Sequence, residues 1–149
     1  MADQPTPRIR VILASHGEQS KGMLNTVQML LGPQENIAAY SLYPEQSVED
    51  FSEALEKEIQ TYGAENIIFL TELVYGSPFN TIVALTQKYD LHHISGTNMA
   101  VLMQVILARC DAEATLDDVV EAGMEGAEGS ILDVRKLLAE AQDDEDEEE

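Results

Sequence analysis

The 149-residue chain has no tryptophan, one cysteine, 5% aromatic residues and only 8 basic residues. A lone Cys110 cannot close an internal disulfide, which fits a reducing compartment and excludes a small cystine-stapled fold. Nothing near it in sequence is built to stabilise a thiolate, so it reads as a helix-end residue and not a nucleophile. No run approaches the roughly 20 apolar residues that cross a bilayer. Met1 to Arg10, broken by Pro5 and Pro7, lacks the apolar stretch of a secretory signal. A cytoplasmic protein is expected.

The scarcity of basic residues excludes whole classes of partner. Against 28 acidic residues they leave a net charge of −20. The last seven residues, Asp143 to Glu149, are all acidic; without them 21 acidic residues still face 8 basic ones. A phosphate-backbone binder carries the opposite sign, so no nucleic acid partner is expected. Direct binding to anionic lipid is excluded likewise. The charge favours a protein partner with a basic docking face. Three segments are expected: a flexible N-terminus over 1–7, one folded domain over 8–139, and a disordered acidic tail over 140–149.

What is present is a core-sized share of hydrophobic residues, 44%, arranged in alternating short and long segments. Arg8 to Ala14 (RIRVILA) is a β-branched run that reads as a buried strand, ended by Ser15-His16-Gly17. Lys21 to Leu31 reads as a helix stopped by Gly32-Pro33, with Met23, Val27, Leu30 and Leu31 on one side. Ile37 to Leu42 is a second strand, and Ser47 with Asp50 starts a second helix that Gly63 closes. Asn66 to Thr71 is a third buried strand. Ser77 as N-cap and Pro78 at the first helical position start the next helix. Leu91 to Ser95 is a fourth strand, followed by a helix from Met99 to about Arg109. Thr115 with Asp118 opens another helix, after which glycines 123, 126 and 129 are expected to loosen the chain. Ile131 to Leu138 reads as either helix or edge strand. Met23, Met29, Met99 and Met103 read as core filling.

This alternation predicts an α/β fold, an open doubly wound parallel sheet covered on both faces. Right-handed crossovers restrict the strand order. In the order 2-1-3-4 the chain reverses direction between strands one and three, and ligand chemistry collects at the strand carboxyl ends beside that reversal. Two loops end there: Ser15-His16-Gly17, and Glu72 to Asn80. The helix that starts at Ser77-Pro78 presents unpaired N–H groups and partial positive charge, which suits a phosphoryl group. An imidazole, with a reference pKa of about 6.5, is a competent nucleophile near neutral pH. Glu72 is the carboxylate in reach to hold the other ring nitrogen of His16. His92 and His93 resemble a metal pair, but on a strand they point to opposite faces and no third ligand follows at a suitable spacing, so no metal site is expected.

Ser15-His16-Gly17 after the first strand and Gly76-Ser77-Pro78-Phe79-Asn80 after the third resemble the mannose-type IIA component of the bacterial sugar phosphotransferase system. Met29-Leu30-Leu31-Gly32 and the turn ending at Asn98 are similar too, so the resemblance covers about residues 8 to 135. It implies four parallel strands in order 2-1-3-4 and a fifth, antiparallel C-terminal edge strand, here Ile131 to Leu137, exchanged within a homodimer. It implies that His16 accepts phosphate from the histidine-containing phosphocarrier protein and passes it to a IIB component, with no cofactor. A membrane IIC/IID transporter would then be an indirect associate. Glu72 would orient the imidazole, and Gly17, Ser77, Phe79 and Asn80 would form the phosphate side. Two positions depart from the family pattern: Glu72 stands where an aspartate is usual, and Tyr75 where a glycine is usual.

Two rival readings stay open at this level. A histidine phosphatase or mutase also uses a histidine before glycine, but clamps phosphate with arginines; Ser15 stands where one is typical, and the chain has only Arg8, Arg10, Arg109 and Arg135. A non-catalytic regulatory homologue would keep the fold and sense phosphorylation through protein contacts.

Overall fold

The computed structural model describes residues 5–147. Four strands, β1 (Arg10–His16), β2 (Ile37–Leu42), β3 (Ile67–Thr71) and β4 (His92–Ser95), form one sheet in the order β2-β1-β3-β4, and every pair is parallel. Helices α1 (Gln19–Leu31), α2 (Val48–Tyr62), α3 (Ser77–Leu85), α4 (Met99–Ala108), α5 (Leu116–Ala127) and α6 (Val134–Glu147), with a short 3-10 turn at Ala64–Asn66, complete the described chain.

Strand alternation divides the core into two layers. Val11, Leu13, Ile68, Leu70 and Ile94 meet residues of α1, α4 and α5 on one face. Ile12, Ala14, Ile67 and Phe69 meet α2 and α3 on the other. The central strands β1 and β3 are buried on both faces, which is why they read as unbroken apolar runs. The expected doubly wound sheet and its order are therefore present.

Several expectations change. Residues Ile131 to Leu137 form no strand: 131–133 lie outside any regular element and 134 onward is helical. Asp133 Oδ1 accepts the Lys136 N–H at 3.3 Å and so caps that helix, and the RKLLAEA run it opens is rich in strong helix formers. An exchanged strand would need the sheet edge of a second copy. The segment expected as a disordered tail continues α6 as far as Glu147; residues 148 and 149, like residues 1–4 of the N-terminal segment, lie outside the described residues.

Glycines 123 and 126 do not loosen the chain. They lie within α5, against α4 and β4, where a Cβ on Gly126 would come within 2.7 Å of Gln104 Cγ and one on Gly123 within 2.9 Å of Ile94 Cδ1. Small residues here let the two helices approach closely. On α1, Val27 is fully buried while Met29 and Leu30 are exposed, so Met29 fills no core. The helical phase explains it: Ser20, Met23, Leu24, Val27 and Leu31 follow one stripe, and Met29 lies two residues off it.

At the amino-terminal edge of the sheet, the buried Arg109 guanidinium donates to the carbonyls of Ile9, Glu35 and Asn36 and to Gln34 Oε1. Beside it Arg10 pairs with Glu58. These cations are spent on architecture at the end of the sheet opposite the carboxyl-terminal loops.

Candidate active site

His16 is the last residue of β1, not part of the following turn, and still pairs with Leu42 of β2. On its other side the ladder to β3 stops at Ala14–Thr71. Glu72, the next residue of that chain, takes over where backbone pairing ends. Its Oε1 accepts the His16 backbone N–H at 2.5 Å and also meets His16 Nδ1 at 2.5 Å. A carboxylate only accepts, so Nδ1 carries the proton, and in the neutral ring Nε2 keeps its lone pair. The glutamate side chain thus reaches the ring. The His16 side chain is 46% exposed and Glu72 15%, so the carboxylate is shielded while the imidazole is open to solvent.

The ring packs on α3. A Cβ added to Gly76 would lie 2.8 Å from His16 Cε1, and Gly76 has an ordinary φ of −73°. The glycine is therefore needed for close approach of the imidazole and not for backbone freedom. Since Cε1 is bonded to Nε2, that nitrogen lies beside the start of α3.

That start is shifted by one residue from the expected position. Gly76, not Ser77, is the N-cap; Ser77 and Pro78 are the first two helical residues, and no side chain caps the helix. The Ser77 hydroxyl is thereby left out of capping. Gly76 N–H bonds to Leu73 O and Asn80 N–H to Gly76 O, and Pro78 has no N–H. Among the described residues the N–H groups of Ser77 and Phe79 have no backbone partner outside the helix ladder, and they sit at its positive end.

The other expected phosphate-side residues divide. The Gly17 N–H donates to Leu42 O at 2.9 Å, extending the β1–β2 ladder, so that donor is already engaged. Asn80 Nδ2 donates to the Tyr75 carbonyl at 3.1 Å and fixes the loop. The Phe79 ring lies against Tyr75 and His93, so only its backbone can serve an anion. Asn98 caps α4 through Val101 N–H and ties it to Ser130. Sequence reading gave Ser15 no role, yet its buried Oγ accepts the Ser20 N–H at 2.8 Å and anchors the start of α1 behind His16. The only signal was a serine five residues ahead of a helix position, too common to single out.

His92 and His93 do point to opposite faces. His92 Nε2 meets Asp117 on α5 at 3.2 Å, and His93 Nε2 lies 2.7 Å from Thr71 Oγ1 under the α3 layer. Burial pushes the His93 imidazole down to about 4. An unfolded chain would bind that proton near 6.5, so the contribution of neutral His93 is complete above that pH and is lost as pH falls toward 4. Up to about 3 kcal/mol follows from a shift of that size. In His93→Gln, which can still hydrogen-bond Thr71, chemical denaturation is expected to show a shallower loss of stability between pH 6.5 and 4 than in the native chain. Parallel stability curves would refute the assignment.

The family model of the fructose IIA component of the phosphotransferase system matches residues 10–124. Over 126 residues the chain is 30% identical to the mannose-specific EIIAB component of Escherichia coli strain K12, covering 81% of this chain and 38% of that protein. The chain thus spans well under half the length of that relative. It is 25% identical over 99 residues to the sorbose-specific EIIA component of Klebsiella pneumoniae, covering 66% of this chain and 73% of the relative. The crystal structure of an EIIA component from Streptococcus agalactiae superposes with a TM-score of 0.78 at 29% identity, covering 86% of this chain and 98% of that one. With its sheet order, its histidine at the end of β1 and a family match that runs from β1 into α5, the chain belongs to the IIA components of the fructose and mannose type of the sugar phosphotransferase system.

Proposed function

We propose that this chain is a phosphocarrier: His16 takes a phosphoryl group from the histidine-containing phosphocarrier protein and gives it to a IIB component during sugar uptake. The observation that carries the reading is the double contact of Glu72 Oε1 with the backbone N–H and Nδ1 of His16, which leaves Nε2 as the free nucleophile against the amino end of α3. In the transfer the donor's P–N bond breaks as an Nε2–P bond forms, and the donor imidazole leaves with the electron pair. Charge on the three phosphoryl oxygens is met by the Ser77 hydroxyl and the N–H groups of Ser77 and Phe79. The chain works in the cytoplasm as a homodimer, associates only indirectly with a membrane IIC/IID transporter, and needs no metal or cofactor for this step. Among the described residues no helix is long and apolar enough to cross a membrane.

The positions of three of the four arginines support this reading over a phosphatase. Arg8, Arg10 and Arg109 are bound to Ala114 O, Glu58 and backbone carbonyls near the amino-terminal edge of the sheet. Incubation with the phosphorylated donor protein is expected to add one phosphoryl group, mapped by mass spectrometry to the peptide containing His16. A small phosphate ester, without donor protein, is expected to remain intact. Steady hydrolysis of that ester, or modification elsewhere than His16, would overturn the reading.

A further inference from the structure

Tyr75 has a φ of 69°, in the left-handed region that non-glycine residues, and bulky ones above all, rarely adopt. Burial does not hold it there, since the residue is 80% exposed. The backbone is held from both sides. Asn80 Nδ2 donates to the Tyr75 carbonyl at 3.1 Å, and the Gly76 N–H closes a turn onto Leu73 O at 3.0 Å. The ring itself stands edge-on to Phe79 at 5.5 Å, and Phe79 leans on His93, also at 5.5 Å. A rigid support thus runs from the core out to one exposed aromatic ring.

Leu73 and Val74 are exposed as well. The three residues lie between Glu72, which holds the imidazole, and Gly76, on which the imidazole packs. The result is an uncharged apolar rim next to Nε2. Backbone strain that the surrounding structure maintains clusters at working sites, and an exposed apolar patch beside a reactive group marks an interface. A tyrosine held in one position offers large contact area with little ordering entropy to lose. Any protein that brings phosphorus in line with Nε2 must cover this rim.

We propose that Tyr75 is a specificity-determining contact for the protein that delivers the phosphoryl group. That partner carries the group within an apolar patch ringed by basic residues, which complements a chain of net charge −20. The inference rests on the phosphocarrier reading above. Tyr75 takes no part in exchanging one P–N bond for another; it selects which protein presents the phosphorus.

The test compares two donors on the full chain: the phosphorylated histidine-containing phosphocarrier protein, and phosphoramidate, whose P–N bond breaks to release ammonia as the Nε2–P bond forms. Tyr75→Gly is expected to raise KM for the protein donor about tenfold or more, with kcat little changed, since uniform binding is what has been removed. Its phosphorylation by phosphoramidate is expected to stay within about twofold of the native rate. Tyr75→Phe, which keeps the ring, is expected to restore most of the affinity. Equal losses with both donors would show that Tyr75 acts through His16, and would overturn the proposal. So would native KM in Tyr75→Gly, or a defect seen only in onward transfer to IIB. If the native chain itself takes phosphate from phosphoramidate but not from the protein donor, the phosphocarrier reading fails, and this inference fails with it.

Discussion

His16→Ala is expected to accept no measurable phosphoryl group from the donor protein while keeping its fold. The substitution removes the proposed nucleophile itself, and no other histidine among the described residues can replace it. His93 is largely buried with Nε2 against Thr71, and His92 points to the opposite face of the sheet, toward Asp117. The fold should persist because the side chain removed is nearly half exposed and lies outside both core layers, so the loss should stay near the typical value of about 1 kcal/mol for a point substitution. Glu72 also keeps one of its two partners, the backbone N–H of residue 16. The measurement is a single-turnover assay with labelled donor, set beside a thermal melt. Label retained by a folded His16→Ala protein would remove the basis of the functional assignment.

A second large effect is expected from one methyl group. In Gly76→Ala the new Cβ starts 2.8 Å from His16 Cε1 and 3.2 Å from the Leu73 carbonyl. Backbone geometry allows alanine at this φ of −73°, so relief must come from displacing the ring or the start of α3. Ordinary contact requires a shift approaching 1 Å, and a misplacement of that size in a positioned reactant lowers rate about 100-fold. Overpacking strain is of order 1 kcal/mol. Transfer should therefore fall far more than stability does. A Gly76→Ala protein with the native transfer rate would mean that the imidazole does not use this contact during reaction.

The fold was legible because its signals are local. Apolar runs at Val11–Ala14 and Ile67–Thr71 mark strands buried on both faces, and Ser47 and Thr115 announce helices that form where those caps stand. The pairing of His16 with the Ser77-Pro78 helix could be anticipated from topology, since parallel strands beside a reversal must present their carboxyl ends together. Three features were hidden. The Gly17 N–H looked available until the ladder to Leu42 engaged it, a question of register that no tripeptide states. Gly123 and Gly126 read as flexible, whereas a neighbouring helix uses their missing side chains. Gly76 belonged to a recognisable motif, yet its reason, close contact with an imidazole 60 residues earlier, exists only in three dimensions.

Pro78 has no amide hydrogen and the Gly17 amide is already bonded to Leu42. The proposed anion cradle is thus thin. If His16 carries phosphate as proposed, a group held loosely retains most of the free energy of its P–N bond, and a donor and acceptor that both use imidazole exchange it on nearly level terms. Net direction would then be imposed by mass action, through the ratio of charged to uncharged partners in the cell, and flow would reverse when that ratio does.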